Sequence, residues 1–123
     1  MLFYYPYNSE TMSYKIKSRI WIEYENHVLL GEGRVHLLKA IDETGSLSKA
    51  AKLLNISYKK AWDLIDSVNK SAKNPVTINS IGGKGGGGAE LTEYGKSLIK
   101  TFDEINQNCW EFLDEQLNKL ADL

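Results

Sequence analysis

The sequence predicts a mainly α-helical domain with a small β component, and three observations carry this. Apolar residues recur at helical spacing over residues 34–44, 61–68 and 98–120. Apolar and polar residues alternate in the stretch 14–30, and short apolar runs at 76–81 and 89–91 read as strands. Turn-forming residues punctuate these segments at Glu25-Asn26, Gly31, Gly33, Gly45, Asn55 and the run 82–88.

Taken in order, residues 1–13 form an aromatic leader with Phe3, Tyr4, Tyr5 and Tyr7. It has neither a basic start nor an apolar stretch, so it is not a secretory signal. Ile16, Ile20 and Ile22 share one parity, with Lys15, Lys17, Arg19 and Glu23 mostly on the other. Glu25-Asn26 turns this strand into a second, residues 27–30. A helix over 34–44 follows, with Val35, Leu38 and Ile41 on one face and Leu37 beside it. Gly45 supplies the left-handed residue that stops it. Ser46 reads as an N-cap of a short helix with Ala50, Ala51 and Leu54 inward. Asn55-Ile56 forms a turn. Ser57 caps a further helix whose apolar stripe is Ala61, Leu64, Ile65 and Val68. After the strand 76–81, the glycine-rich run and the strand 89–91, Thr92 caps a last helix reaching about residue 120.

Length and composition exclude several classes. At 123 residues and 42% apolar, the chain fits one domain with a real core. A net charge of −1 excludes a generally basic chain and an acidic disordered tail. No apolar run approaches the roughly 20 residues of a membrane span. A single cysteine, Cys109, leaves no internal disulfide and no thiolate cluster, which suits a reducing cytoplasm. The near-zero total hides an asymmetry. Residues 1–100 carry net +4 and residues 101–123 net −5, and the stretch 44–62 holds Lys49, Lys52, Lys59 and Lys60 without one acid. A local basic surface attracts an anionic partner whatever the total charge.

Residues 47–65 combine the features of two short helices crossing at a tight joint. Ala50 and Ala51 are the small pair where helices touch, Asn55 tolerates positive φ at the turn, Ile56 plugs the core, and Ala61 and Leu64 anchor the second helix. That is helix-turn-helix spacing. The second helix then presents Ser57, Tyr58, Lys59 and Lys60 outward at its N-terminal end, where free N–H groups and the helix dipole suit phosphate oxygens. Trp62 reads as a structural residue packed on the first helix or the wing, and Asp63 as an acid that orders a lysine.

No catalytic set competes. Gly83, Gly85 and Gly88 match G-x-G-x-x-G, but no βαβ unit with an acid about 20 residues on follows. Lys84 precedes Gly85 rather than Ser or Thr, so the phosphate-loop pattern fails. His27, His36 and Cys109 lack ligand spacing. The glycine run reads instead as the tip of a β-wing, with Lys84 placed to lie along a sugar-phosphate edge. The chain is therefore read as a non-enzyme with no cofactor.

The segments Gly45-Ser46-Leu47-Ser48-Lys49-Ala50-Ala51, Ile56-Ser57-Tyr58-Lys59-Lys60-Ala61-Trp62-Asp63 and Gly82 to Gly88 with Ala89-Glu90-Leu91-Thr92-Glu93-Tyr94-Gly95 closely resemble the N-terminal DNA-binding domain of the molybdate-responsive ModE family. More loosely they resemble the winged heads of LysR-type regulators. The resemblance covers roughly residues 31–102 and implies a winged helix-turn-helix, a recognition helix 57–70 in the major groove, a wing 82–88 on the backbone, and a dimer on a palindromic operator of double-stranded DNA; with the front hairpin, whose role the resemblance leaves open, the domain is read as residues 14–91. The expected DNA contacts are Ser46, Ser48, Lys49, Lys52, Ser57, Tyr58, Lys59, Lys60, Gly83, Lys84 and Gly85. Members of the family carry oxyanion-binding domains after this helix. With the sequence running to Leu123, molybdate is not expected to bind this chain.

Residues 92–123 supply an independent reason to expect a homodimer. A helix of this length, about 40 Å at 1.5 Å per residue, projects beyond a domain of radius near ~14 Å. Its stripe of Phe102, Ile105, Cys109, Phe112, Leu113 and Leu117 then calls for a second chain, or for the chain's own hairpin over half its length. A different class of reading is an adaptor that uses a winged-helix scaffold for protein contacts without binding DNA.

Overall fold

The computed structural model describes residues 13–80, 88–121 and 123. Strands β1 (Trp21–Tyr24) and β2 (His27–Gly31) precede helices α1 (Glu32–Thr44), α2 (Leu47–Leu53) and α3 (Tyr58–Ser71). Strands β3 (Thr77–Ser80) and β4 (Gly88–Leu91) follow, then the long helix α4 (Glu93–Gln116) and the short α5 (Asn118–Ala121). Each strand pair is a separate two-stranded antiparallel sheet. A helical core with a β3–β4 ribbon between α3 and α4 is the arrangement of a winged helix, as the sequence predicts.

The front hairpin turns on Glu25 and Asn26, both at positive φ (50° and 69°). A two-residue turn of this hand matches the natural twist of the strands it joins. The hairpin is shorter than the alternation predicts. Trp21 pairs with Gly31, the last residue before α1 begins, so residues 13–20 have no strand opposite them. The last of them, Ser18 to Ile20, lie beside α4, where Ser18 Oγ is 4.0 Å from Cys109 Sγ.

Helix α1 is central and packs against α2, α3, α4 and β4. Val35, Leu37, Leu38 and Ile41 on it are fully buried, together with Leu30, Ala50, Ala61, Val68, Val76 and Phe102. Burying one such large apolar side chain is worth about 1.5–3 kcal/mol, so this cluster dominates the fold's stability. Gly45 ends α1 at φ 70°, the left-handed conformation a side chain resists. His36 sits half-buried on the same helix, and desolvation pushes its imidazole pKa down.

Polar groups lock the elements in register. Lys39 Nζ pairs with Asp103 Oδ2 at 2.8 Å between α1 and α4, and Arg34 Nη2 donates to Ser67 Oγ at 3.0 Å between α1 and α3. Asn69 on α3 staples the wing: its Oδ1 accepts from Val76 N (2.7 Å) and Thr77 N (3.2 Å), and its Nδ2 donates to Thr77 Oγ1 (3.0 Å). Thr92 accepts from Gly95 N at 2.9 Å as the N-cap of α4 and donates its hydroxyl to Pro75 O at 2.7 Å.

The last helix ends sooner than its stripe predicts. At Leu117 the backbone N–H is shared between Leu113 O and Asp114 O, both at 3.2 Å, a tightened final turn that turns the Leu117 side chain inward. Among the described residues no helix is long and apolar enough to cross a membrane.

Candidate nucleic-acid interface

The α2–α3 unit is built by local chemistry at three points. Ser46 Oγ accepts from Lys49 N at 3.2 Å and caps α2. Ser57 Oγ accepts from Lys60 N at 3.0 Å and caps α3. Each cap satisfies a backbone donor that the first helical turn leaves unpaired. Between them α2 closes in a Schellman motif. Ile56 N donates to Ala51 O (3.0 Å) and Asn55 N to Lys52 O (3.1 Å), with Asn55 left-handed at φ 57°. Ala50, Ala51 and Ala61 are buried where the helices meet, and Ile56, Leu64 and Ile65 pack against the core from the edge.

This arrangement turns one face outward. Ser48, Lys49 and Lys52 on α2 and Ser57, Tyr58, Lys59 and Lys60 at the start of α3 are all exposed, Tyr58 at 56%. Ser46 is half-buried, and its hydroxyl hydrogen remains able to donate. Lys59 Nζ forms an i,i+4 ion pair with Asp63 Oδ2 at 3.1 Å, the ordering role expected of Asp63. A bridge this exposed is weak and yields readily to a competing anion. Lys49, Lys52 and Lys60 form no ion pair among the described residues, so their charges stand available in the acid-free stretch. Among the described residues, Tyr58 and the lysines beside it stand exposed.

The wing flanks this face. Strands β3 and β4 pair Thr77 with Leu91, Ile78 with Glu90, Asn79 with Ala89 and Ser80 with Gly88. Ala89 N donates to Gly45 O at 3.0 Å, tying the ribbon to the start of the helix-turn-helix. The expected wing-tip contacts Gly83, Lys84 and Gly85 lie outside the described residues.

Two sequence readings change. Trp62, expected to pack against the first helix or the wing, is 51% exposed. It follows Tyr58 by four residues on the outward side of α3, and the Ala61–Val68 stripe that fixes the inward side already marks this position as outward. On α4, Phe102 is 1% exposed and belongs to the chain's own core, and Leu117 is buried as well, so neither offers surface to a second chain. Ile105 (45%) and Phe112 (60%) are exposed, and Cys109 and Leu113 are half-buried beside them. Gly95, unremarked in the spacing argument, holds the start of α4 against the backbone just before β3: a Cβ there would collide with the Val76 carbonyl oxygen.

Among the described residues no group of three or more His, Cys, Asp or Glu could hold a metal ion. No family model matches the chain. Similarity to individual proteins is extensive. The molybdenum transport protein ModE of Azotobacter vinelandii is 35% identical over 107 residues, 85% of this chain and 40% of that protein. The transcriptional regulator ModE of Yersinia pestis is 51% identical over 85 residues, 67% of this chain and 32% of that protein. The DNA-binding transcriptional dual regulator ModE of Escherichia coli K12 is 44% identical over the same length and shares. The chain thus spans about a third of the length of the curated relatives it matches. Over that portion, with its capped α2–α3 joint and ribbon, this chain is a homologue of the ModE molybdate-responsive regulators, matching the share of them that an N-terminal domain alone would cover.

Proposed function

We propose that this chain is the DNA-binding part of a cytoplasmic transcription regulator of the winged helix-turn-helix type. Helix α3 enters the major groove of double-stranded DNA by its N-terminal half. Ser57, Tyr58 and Lys59 meet base edges there, and Lys49, Lys52 and Lys60 neutralise phosphates. Ser46 and Ser48 at the start of α2 donate to the backbone, and the glycine-rich segment 82–88 with Lys84 follows a sugar-phosphate edge. The observation that carries this reading is the exposed, acid-free face spanning Ser48 to Lys60, assembled by two N-caps and a Schellman turn.

The regulator acts as a homodimer on a palindromic operator. Leu98, Ile105 and Phe112 lie seven residues apart on α4, the repeat that lets two helices pack along a common seam. Ile105 and Phe112 on that seam are exposed. A two-fold pair built there sets two α3 helices on successive faces of the duplex.

Binding to duplex DNA measured across a range of salt tests the reading. The affinity falls steeply as salt rises, and Lys60→Ala lowers the slope by about one unit while weakening all sequences alike. An adaptor that binds only proteins shows no salt-dependent duplex binding. That result removes the proposal.

A further inference from the structure

An indole left half in water forfeits part of the stabilisation that its burial would give, so a 51% exposed Trp62 in the middle of the α2–α3 face calls for a partner. Its position on the helix narrows the choice. At about 100° per residue, Trp62 lies about 40° from Tyr58, so the two rings share one flank of the outward face. The other flank carries Lys60, and the Lys59–Asp63 bridge runs between; the second carboxylate on this side, Asp66, is paired with Lys70 at 2.8 Å. The outward face is thus divided lengthwise into an aromatic flank and a cationic flank.

Resting on the DNA-binding reading above, we propose that Trp62 together with Tyr58 reads thymine methyl groups on the floor of the major groove. The cationic flank fits phosphates. An aromatic flank on the same half of the same helix needs an apolar feature at the depth of the bases, and the C5-methyl of thymine is the one such group the major groove displays. Trp62 is the fifth residue of α3, within the half-helix that reaches base edges, and its indole N–H can donate to an acceptor on a neighbouring base. The duplex is favoured over a second protein as occupant because Lys49, Lys52, Lys59 and Lys60 lie on this face, and the two carboxylates near the rings, Asp63 and Asp66, are each held in an ion pair with a lysine.

The test uses the full chain and duplexes that it recovers from sheared genomic DNA. Each duplex is resynthesised with deoxyuridine in place of thymidine at single positions, which removes only the methyl group. The wild-type chain loses roughly fourfold in affinity at one or two positions, the worth of one buried methyl group. Trp62→Ala binds the thymine and uracil duplexes equally at those positions and keeps the wild-type salt slope. Trp62→Phe retains part of the discrimination. A cooperative melt of Trp62→Ala, well above the temperature of the binding assay, together with the unchanged salt slope, separates the effect from unfolding. An unchanged methyl penalty in Trp62→Ala overturns this assignment while leaving duplex binding intact. Loss of self-association in Trp62→Ala also overturns it, by placing the ring in a protein contact. A wild-type chain that binds no duplex at any salt overturns the DNA-binding reading and this one with it.

Discussion

Asn55 holds the joint between α2 and α3 in a conformation that costs most residues about 1–2 kcal/mol. Asparagine tolerates it, and glycine pays no Cβ penalty there. Asn55→Ala is therefore expected to destabilise the chain by about 1–2 kcal/mol, and Asn55→Gly to leave it near the wild type. The midpoint of urea unfolding measures both. Equal midpoints for alanine and wild type would show that the joint does not depend on this φ. The lysines follow a different logic. Lys49, Lys52, Lys59 and Lys60 are exposed, and of these four Lys59 alone forms an ion pair among the described residues, so their substitution moves binding rather than folding.

Capped helix starts were the most legible elements in the sequence, because a cap is decided within four residues; α1, which has no side-chain cap, starts at Glu32 rather than at Arg34 and takes Gly33 into its first turn. Ser46, Ser57 and Thr92 each take the bond their position predicts. The turn at Glu25-Asn26 and the stop at Gly45 were equally readable, since positive φ selects few residue types. What depended on distant partners was not readable. The hairpin loses residues 13–20 because β2 runs out at Gly31, and α4 gives way at Leu117, where the last turn tightens and the side chain is buried. The staple of Asn69 on Val76 and Thr77 joins residues whose meeting no local pattern announces. The Gly95 contact is of the same kind and carries a prediction. Gly95→Ala forces the start of α4 away from the chain just before β3, where the obstacle is backbone and cannot swing aside. A loss of about 1–3 kcal/mol is expected, typical of overpacking, and read as a drop in melting temperature. An unshifted melt would mean that the ribbon is not clamped by α4.

At the scale of the molecule, the fold divides its labour between two faces. The basic face of α2 and α3 suits an anion, and α4 carries the acidic C-terminal charge and the exposed Ile105 and Phe112. For the proposed dimer, Ile105→Lys with Phe112→Lys is expected to give monomers in sedimentation equilibrium. Operator affinity would then fall to that of a single half-site, with folding intact because both side chains already face solvent. A dimer that survives both changes would move the interface elsewhere. The decisive measurement is the map of backbone amide shifts when a short duplex is added to the labelled chain. Shifts concentrated from Ser46 to Asp63 and in the glycine-rich segment 82–88, with the exposed side of α4 unmoved, are the expected result. Shifts confined to α4 with none at Tyr58, Lys59 or Lys60, or no shifts at all at low salt, would contradict it.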